Sequence, residues 1–229
     1  MLSAMSWSNK PRHRHWGRYH HGNLKEALLK AARDLVAECG PQGFSLAEAA
    51  RRAGVSPAAP YRHFTDRQAL MAEIARQGFA SLATRLHEGW NDGLPDPPTA
   101  FLRMGAAYLA FANEEPAAYA AMFLSGVAPA VLPELRETAD RAFAVLVGAA
   151  SRLGGQQPDG SPAEARQIAL HMWALAHGIA TLAASGAGAG KGLLSPDDAK
   201  KLLEAGCAIY LAGLRIGAGR KSANPAANR

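Results

Sequence analysis

Cysteine is almost missing from this chain. The two in 229 residues, Cys39 and Cys207, lie in apolar helical contexts with no CxxC partner. That argues against a disulfide framework and leaves an expectation of two buried, reduced thiols in a cytosolic protein. Aromatic residues make up only 7%, and no stretch alternates apolar with polar residues as a half-buried strand would. Enzyme signatures are absent too: the chain has no GxSxG, no Walker loop and no GxGxxG after a strand. His171 and His177, six apart, fall on different sides of a helix and make poor metal spacing. Neither catalysis nor a bound metal or cofactor is expected. No hydrophobic signal core follows Met1, so nothing suggests export. Charge is missing from one long run, the 24 residues between Arg166 and Lys191, which is long enough to span a bilayer. Gln167, two histidines and a weakly hydrophobic, glycine-rich second half favour a helix buried in protein, with no membrane partner.

What is present is an alanine-rich chain, 48% hydrophobic, with ample material for a core and room for one large or two modest domains. Residues 1–76 carry 12 Lys and Arg against 6 Asp and Glu; residues 77–229 carry 13 of each. The whole net charge of +6 therefore belongs to the N-terminal third, the footprint of a polyanion-binding head on a neutral body. The first 22 residues contain four Lys and Arg and four His, no acid and no apolar periodicity. They read as a flexible basic arm, either disordered throughout or adding phosphate or minor-groove contacts once nucleic acid is bound.

The chain is organised around residues 45–70, SLAEAARRAGVSPAAPYRHFTDRQAL. Ser45 can cap a short helix whose apolar stripe is Leu46, Ala49, Ala50 and Ala53. Gly54 falls where that helix ends and the chain reverses, and Val55 is apolar enough to pin the turn. Ser56 can cap a second short helix, about 57–63, with Pro57 at its first position. Helix, glycine turn and short helix make a helix-turn-helix, with a preceding helix over 23–39 bracing it and Asn23 capping that brace. Pro60 deletes one bond of the second helix, which must therefore be short. Ala58 and Ala59 leave its start slim enough for a major groove, and Arg62 can make a bidentate contact to guanine. Tyr61, His63 and Arg67 suit phosphate oxygens.

Gly54, Val55, Ser56, Tyr61, His63, Phe64, Arg67 and Leu70 resemble the recognition segment of the tetracycline-repressor (TetR) family of transcriptional regulators. Arg67 stands where that family more often has Lys, and Pro60 where it has Leu or Ile. The resemblance also implies that Ser45 touches a phosphate. Further on, Trp173, His177 and Gly178 resemble the Trp-then-His-Gly (WHG) signature of a C-terminal regulatory domain in this family.

The rest reads as helices alone: one from about 67 to 89 with Leu70, Ile74, Phe79, Leu82 and Leu86 inward, then about 98–114, 116–124, 132–153, 162–186 and 196–217. The expected fold is all-α with about nine helices. An arm at 1–22 precedes a helix-turn-helix domain at 23–69, a helical regulatory and dimerisation domain at 70–217, and a frayed tail at 218–229. Gly78 is open to two accounts, a soft point for motion or close packing. Small residues on the last two helices, Ala169, Ala176, Ala180, Ala184, Ala205, Gly206 and Gly213, together with Ile209, are candidates for a dimer interface. A cavity lined by Phe101, Met104, Tyr108, Phe111, Tyr119, Met122, Phe123, Trp173 and His177 is the alternative to plain core packing for those large groups.

Together these point to a cytoplasmic, nucleoid-associated, homodimeric DNA-binding protein on a palindromic operator. The family resemblance adds repression released by an unidentified small-molecule effector. An activator, a ligand-independent DNA-binding protein, and a helical interaction protein without specific DNA binding remain open alternatives.

Overall fold

The structure, a computed structural model, describes residues 24–153, 162–184 and 193–222. The arm, the Asn23 cap and the end of the tail lie outside the described residues. Every regular element among the described residues is helical. The eight α-helices are α1 (Leu24–Cys39), α2 (Leu46–Arg52), α3 (Arg67–Trp90), α4 (Pro97–Glu114), α5 (Pro116–Phe123), α6 (Pro133–Leu153), α7 (Pro162–Ala184) and α8 (Pro196–Ser222). The ninth expected helix is replaced by a 3₁₀ turn at Ala59–Arg62. α8 runs to Ser222, past the expected start of the tail.

Five of the eight helices begin on proline, where the missing N–H would have had no helical partner anyway. Asp66 and Asp96 cap α3 and α4 by accepting from the backbone N–H of Ala69 (2.8 Å) and Thr99 (2.9 Å). α1 buries Leu28, Leu29, Ala31, Ala32, Leu35 and Val36, bracing the turn region as expected. Cys39 ends that helix on its exposed side, while Cys207 is buried. The expectation of two buried thiols therefore fails at Cys39, whose place in the last turn points it outward.

α3 is the axis of the molecule. Leu70, Ile74, Phe79, Leu82 and Leu86 are all buried, and the helix packs on α4, α5 and α6 after leaving the head. Gly78 is a contact point: a β-carbon there would come within 2.7 Å of Met122 Sδ and 3.2 Å of Ala118 Cβ. Close approach of α3 to α5 explains this glycine. No helix among the described residues is long and apolar enough to cross a membrane. The uncharged stretch instead supplies α7, which buries Ile168, Ala169, Met172, Ala176, Ile179 and Ala180 against the rest of the body.

Candidate functional site

Ser45 caps α2, accepting from the Glu48 N–H at 3.2 Å. The helix then closes with two nested bonds: Val55 N–H to Ala50 carbonyl (3.0 Å) and Gly54 N–H to Arg51 carbonyl (3.1 Å). Gly54 adopts φ +73, which is why glycine is needed where the chain reverses. Val55 packs against the core and fixes the exit direction of the chain.

The segment that follows departs from the sequence expectation. Instead of an α-helix over 57–63 there is a 3₁₀ turn at Ala59–Arg62. An α-helix would need an N–H on residue 60 to reach the Ser56 carbonyl, and Pro60 has none. Ala59 N–H takes that carbonyl at 3.0 Å, one residue earlier, which is 3₁₀ spacing. Ser56 thus serves through its backbone carbonyl, and its expected side-chain cap does not form. The Pro60 ring is fully buried, so the turn is nailed to the head by the residue that shortens it. Ser56, Pro57, Ala58, Tyr61, Arg62 and His63 are left exposed, with Ala59 half-buried.

Most head cations are already paired. Lys25 and Arg76 share Glu73, Lys30 pairs with Asp34 and Arg51 with Glu48. Arg52 grips Glu38 with both terminal nitrogens, at 2.6 and 2.5 Å. Arg33 donates to Gln77. Arg67 donates to the Pro41 carbonyl, a partner 26 residues away that spacing alone did not reveal. Among the described Lys and Arg side chains of the head, only Arg62 has neither an ion pair nor a hydrogen bond. An uncommitted, exposed guanidinium beside small residues can fork onto a base edge or a phosphate.

In the body, the nine cavity candidates divide. Tyr108, Tyr119, Phe123, Trp173 and His177 meet where α4, α5 and α7 face one another. His177 Nδ1 lies 2.9 Å from the Tyr108 hydroxyl and 3.1 Å from that of Tyr119. Tyr119 also bonds the Thr181 hydroxyl at 3.1 Å, a partner the sequence reading missed although it lies one turn beyond His177. The Phe123 ring stands edge-on to the imidazole at 4.7 Å. Burial pushes both phenols up, with the Trp173 indole beside Tyr108 acting the other way, and it pushes His177 down. Phe101, Met104 and Phe111 are buried in the core, where Phe111 lies under the Arg85 guanidinium. Met122 turns onto Gly78. These four do not join the cluster.

The interface candidates divide as well. Ala169, Ala176 and Ala180 are buried in the chain's own core, and a β-carbon on Gly206 would meet Leu175 of the same chain at 2.8 Å. Their small size lets α7 approach its neighbours within the chain. Ala184, Ala205, Ile209 and Gly213 are exposed. They share the outer side of α7 and α8 with Leu170, Leu182 and Leu202, and a bond of 2.8 Å between His171 and Tyr210 links the two helices there.

The chain matches two family models, "Bacterial regulatory proteins, tetR family" over residues 28–74 and "Tetracyclin repressor-like, C-terminal domain" over 101–209. It is 30% identical over 103 residues to the uncharacterized HTH-type transcriptional regulator YobS of Bacillus subtilis. That match covers 45% of this chain and 53% of YobS, so the chain spans about half the length of this curated relative. Among solved structures, a protein with unknown function from Rhodococcus sp. RHA1 superposes with a TM-score of 0.69 at 32% identity, over 86% of this chain and 97% of that one. A transcriptional regulator from the same organism gives 0.64 at 26% identity, over 83% and 97%. With its capped helix, glycine turn and exposed reading segment set on a helical body, the chain belongs to the TetR family and is a DNA-binding transcriptional regulator.

Proposed function

We propose that the protein is a homodimeric repressor, acting in the cytoplasm at the nucleoid, that a small-molecule ligand releases from a palindromic operator. One observation carries the reading: α3 is a single helix from Arg67, beside the base-reading turn, to Trp90 in the body. Any change in how α4, α5 and α6 pack on its second half re-aims the head at its first turn. A ligand that binds one packing better than the other shifts the population of DNA-competent heads.

The dimer follows from the size of the reading element. A turn of four residues, Ala59–Arg62, touches few base pairs, too little to find a site in a genome. Two copies related by a two-fold axis double the contacts and require half-sites about one helical turn, or a multiple, apart. The exposed apolar side of α7 and α8 supports that pairing, and Gly178 stands on it with open space for a close neighbour. DNA readout belongs to Pro57, Ala58 and Arg62, with Ser45, Tyr61, His63 and Arg67 on phosphates.

Selection of bound fragments from genomic DNA at about 150 mM salt tests the reading, because weak nonspecific grip fades there. One enriched palindrome is expected. Binding without an enriched motif would remove specific regulation and leave a basic head that holds phosphates.

A further inference from the structure

We propose that the cluster around His177 is the effector site, and that it takes a neutral molecule carrying one hydrogen-bond acceptor, such as a carbonyl oxygen, on an aromatic or apolar body. Its role as a switch rests on the ligand-release reading above; its chemistry rests on the cluster alone.

The tautomer of His177 comes first. Its Nδ1 faces two phenolic hydroxyls, Tyr108 at 2.9 Å and Tyr119 at 3.1 Å. Phenols donate better than they accept, so Nδ1 is the acceptor and the ring proton sits on Nε2. Among the described residues that Nε2–H has no partner. Among the described residues, no sealed side-chain nitrogen or oxygen lacks a partner, so this unpaired donor is open to an incoming group. A donor held in one orientation by its own neighbours is ready to receive an acceptor at no further ordering cost.

The surroundings set the rest of the ligand. The Tyr119 ring stacks on the imidazole at 5.7 Å, and Phe123 meets it edge-on at 4.7 Å. Trp173 continues the wall and packs on Phe143 at 5.2 Å. The arginines of the flanking helices are engaged elsewhere: Arg103 on the Gly89 and Leu94 carbonyls, Arg85 with Glu114 and Glu115, Arg166 over the Phe143 ring. Among the described residues no carboxylate bonds to the cluster either. An anionic or cationic group brought here would lose water and find no opposite charge. Burial acts on the cluster's own groups in the same sense, holding both phenols and the imidazole in their uncharged forms. Gly178 and Thr181, next to His177 and one turn on, both face outward, so the open donor lies where the core borders the outer side of α7.

Three probes of one shape test the proposal on the full-length protein: acetophenone, cumene and benzoate, which differ in bearing a carbonyl, no polar group or a charge. Binding is read by thermal shift and by the imidazole nitrogen resonances of isotopically labelled protein, with His177 assigned from His177→Gln. Acetophenone is expected to raise the unfolding temperature and move the Nε2 resonance. Cumene should bind about tenfold more weakly, the worth of one neutral hydrogen bond, and benzoate not at all. His177→Phe should erase the preference for acetophenone over cumene. Tyr108→Phe, a milder change that keeps the ring, should reduce it. Equal binding of acetophenone and cumene, preference for benzoate, or no binding by any of the three would overturn the proposal. DNA affinity on the enriched fragment is measured in parallel. Acetophenone bound with DNA affinity unchanged would sink the release reading and leave the site; another compound releasing DNA while all three probes fail would do the reverse.

Discussion

The guanidinium of Arg67 donates to the carbonyl of Pro41, tying the first turn of α3 to the loop between α1 and α2. One bond therefore joins the helix that enters the body to the framework that carries the reading turn. Arg67 retains further N–H groups for a phosphate, since its guanidinium has five donors. Arg67→Ala should weaken binding to the selected site and to random DNA alike, and reduce the salt slope by about 0.9 for the lost phosphate. It should also lower the stability of the free protein by about 1 kcal/mol through the lost bond to Pro41. Fluorescence anisotropy across a salt series, with thermal unfolding beside it, separates the two effects. A loss confined to the selected site would contradict this role.

Arg62 is expected to behave in the opposite way. Exposed and without a partner among the described residues, it has little to lose in the free protein. Arg62→Ala should leave the unfolding temperature unchanged, cost about 1–3 kcal/mol on the selected site and much less on random DNA. Competition binding with one-base variants of the site checks this. Equal losses on every sequence would make Arg62 a phosphate contact.

Pro60 sets the length of the reading element. Pro60→Leu restores the N–H that an α-helix over 57–63 requires and fills the same buried position with an apolar side chain. More helical circular dichroism and a changed sequence preference in a repeated selection are expected. If the preferred site stays the same, the 3₁₀ turn has no part in readout.

How far each feature could be read from the sequence depends on the range of the interactions that set it. The turn at Gly54 and Val55 closes on bonds no longer than five residues, so its residues announce it. The starts of α5, α6, α7 and α8 were legible because proline stands at each. The reading segment was legible in place but not in form. The lost N–H of Pro60 was visible in the sequence; the burial of its ring, which holds the segment as a tight turn, is tertiary. On α7 the difficulty was register. Ala169, Ala176 and Ala180 face inward while Leu170 and Leu182 face outward, so both sides of the helix are apolar and periodicity does not choose between them. The Tyr108–His177 contact spans 69 residues, and only the packing of α4 on α7 brings it about.

Glu73 predicts how the head responds to acid. Arg76 above all, then Lys25 and Gln77, hold its carboxyl at about 2, against an ordinary value of 4.5. A folded-state value below the unfolded one contributes stability above pH 4.5 and loses it as pH falls toward 2. Glu73→Gln should lower the unfolding temperature at neutral pH, since Lys25 and Arg76 lose their shared partner. The variant should also show a flatter acid limb, converging on the parent near pH 2. Thermal scans from pH 7 downward test it; parallel curves at all pH values would show that the carboxylate contributes nothing specific.

Ile209 tests which surface a second copy covers. It is 75% exposed on α8, so a covering surface would take a large apolar side chain out of water. Burying such a side chain stabilises by about 1.5–3 kcal/mol, and a two-fold axis counts it twice. Ile209→Glu removes both contributions and sets two like charges in or near the seam, so the dimer should dissociate. Sedimentation velocity should then show a monomer, and affinity for the palindrome should fall toward that for a half-site. Leu124→Glu is the matching control: this side chain is 54% exposed just beyond α5, away from the face that carries Ile209, and the change should leave the oligomer intact. Dissociation by Leu124→Glu with Ile209→Glu still dimeric would move the interface from α7 and α8 to the stretch between α5 and α6.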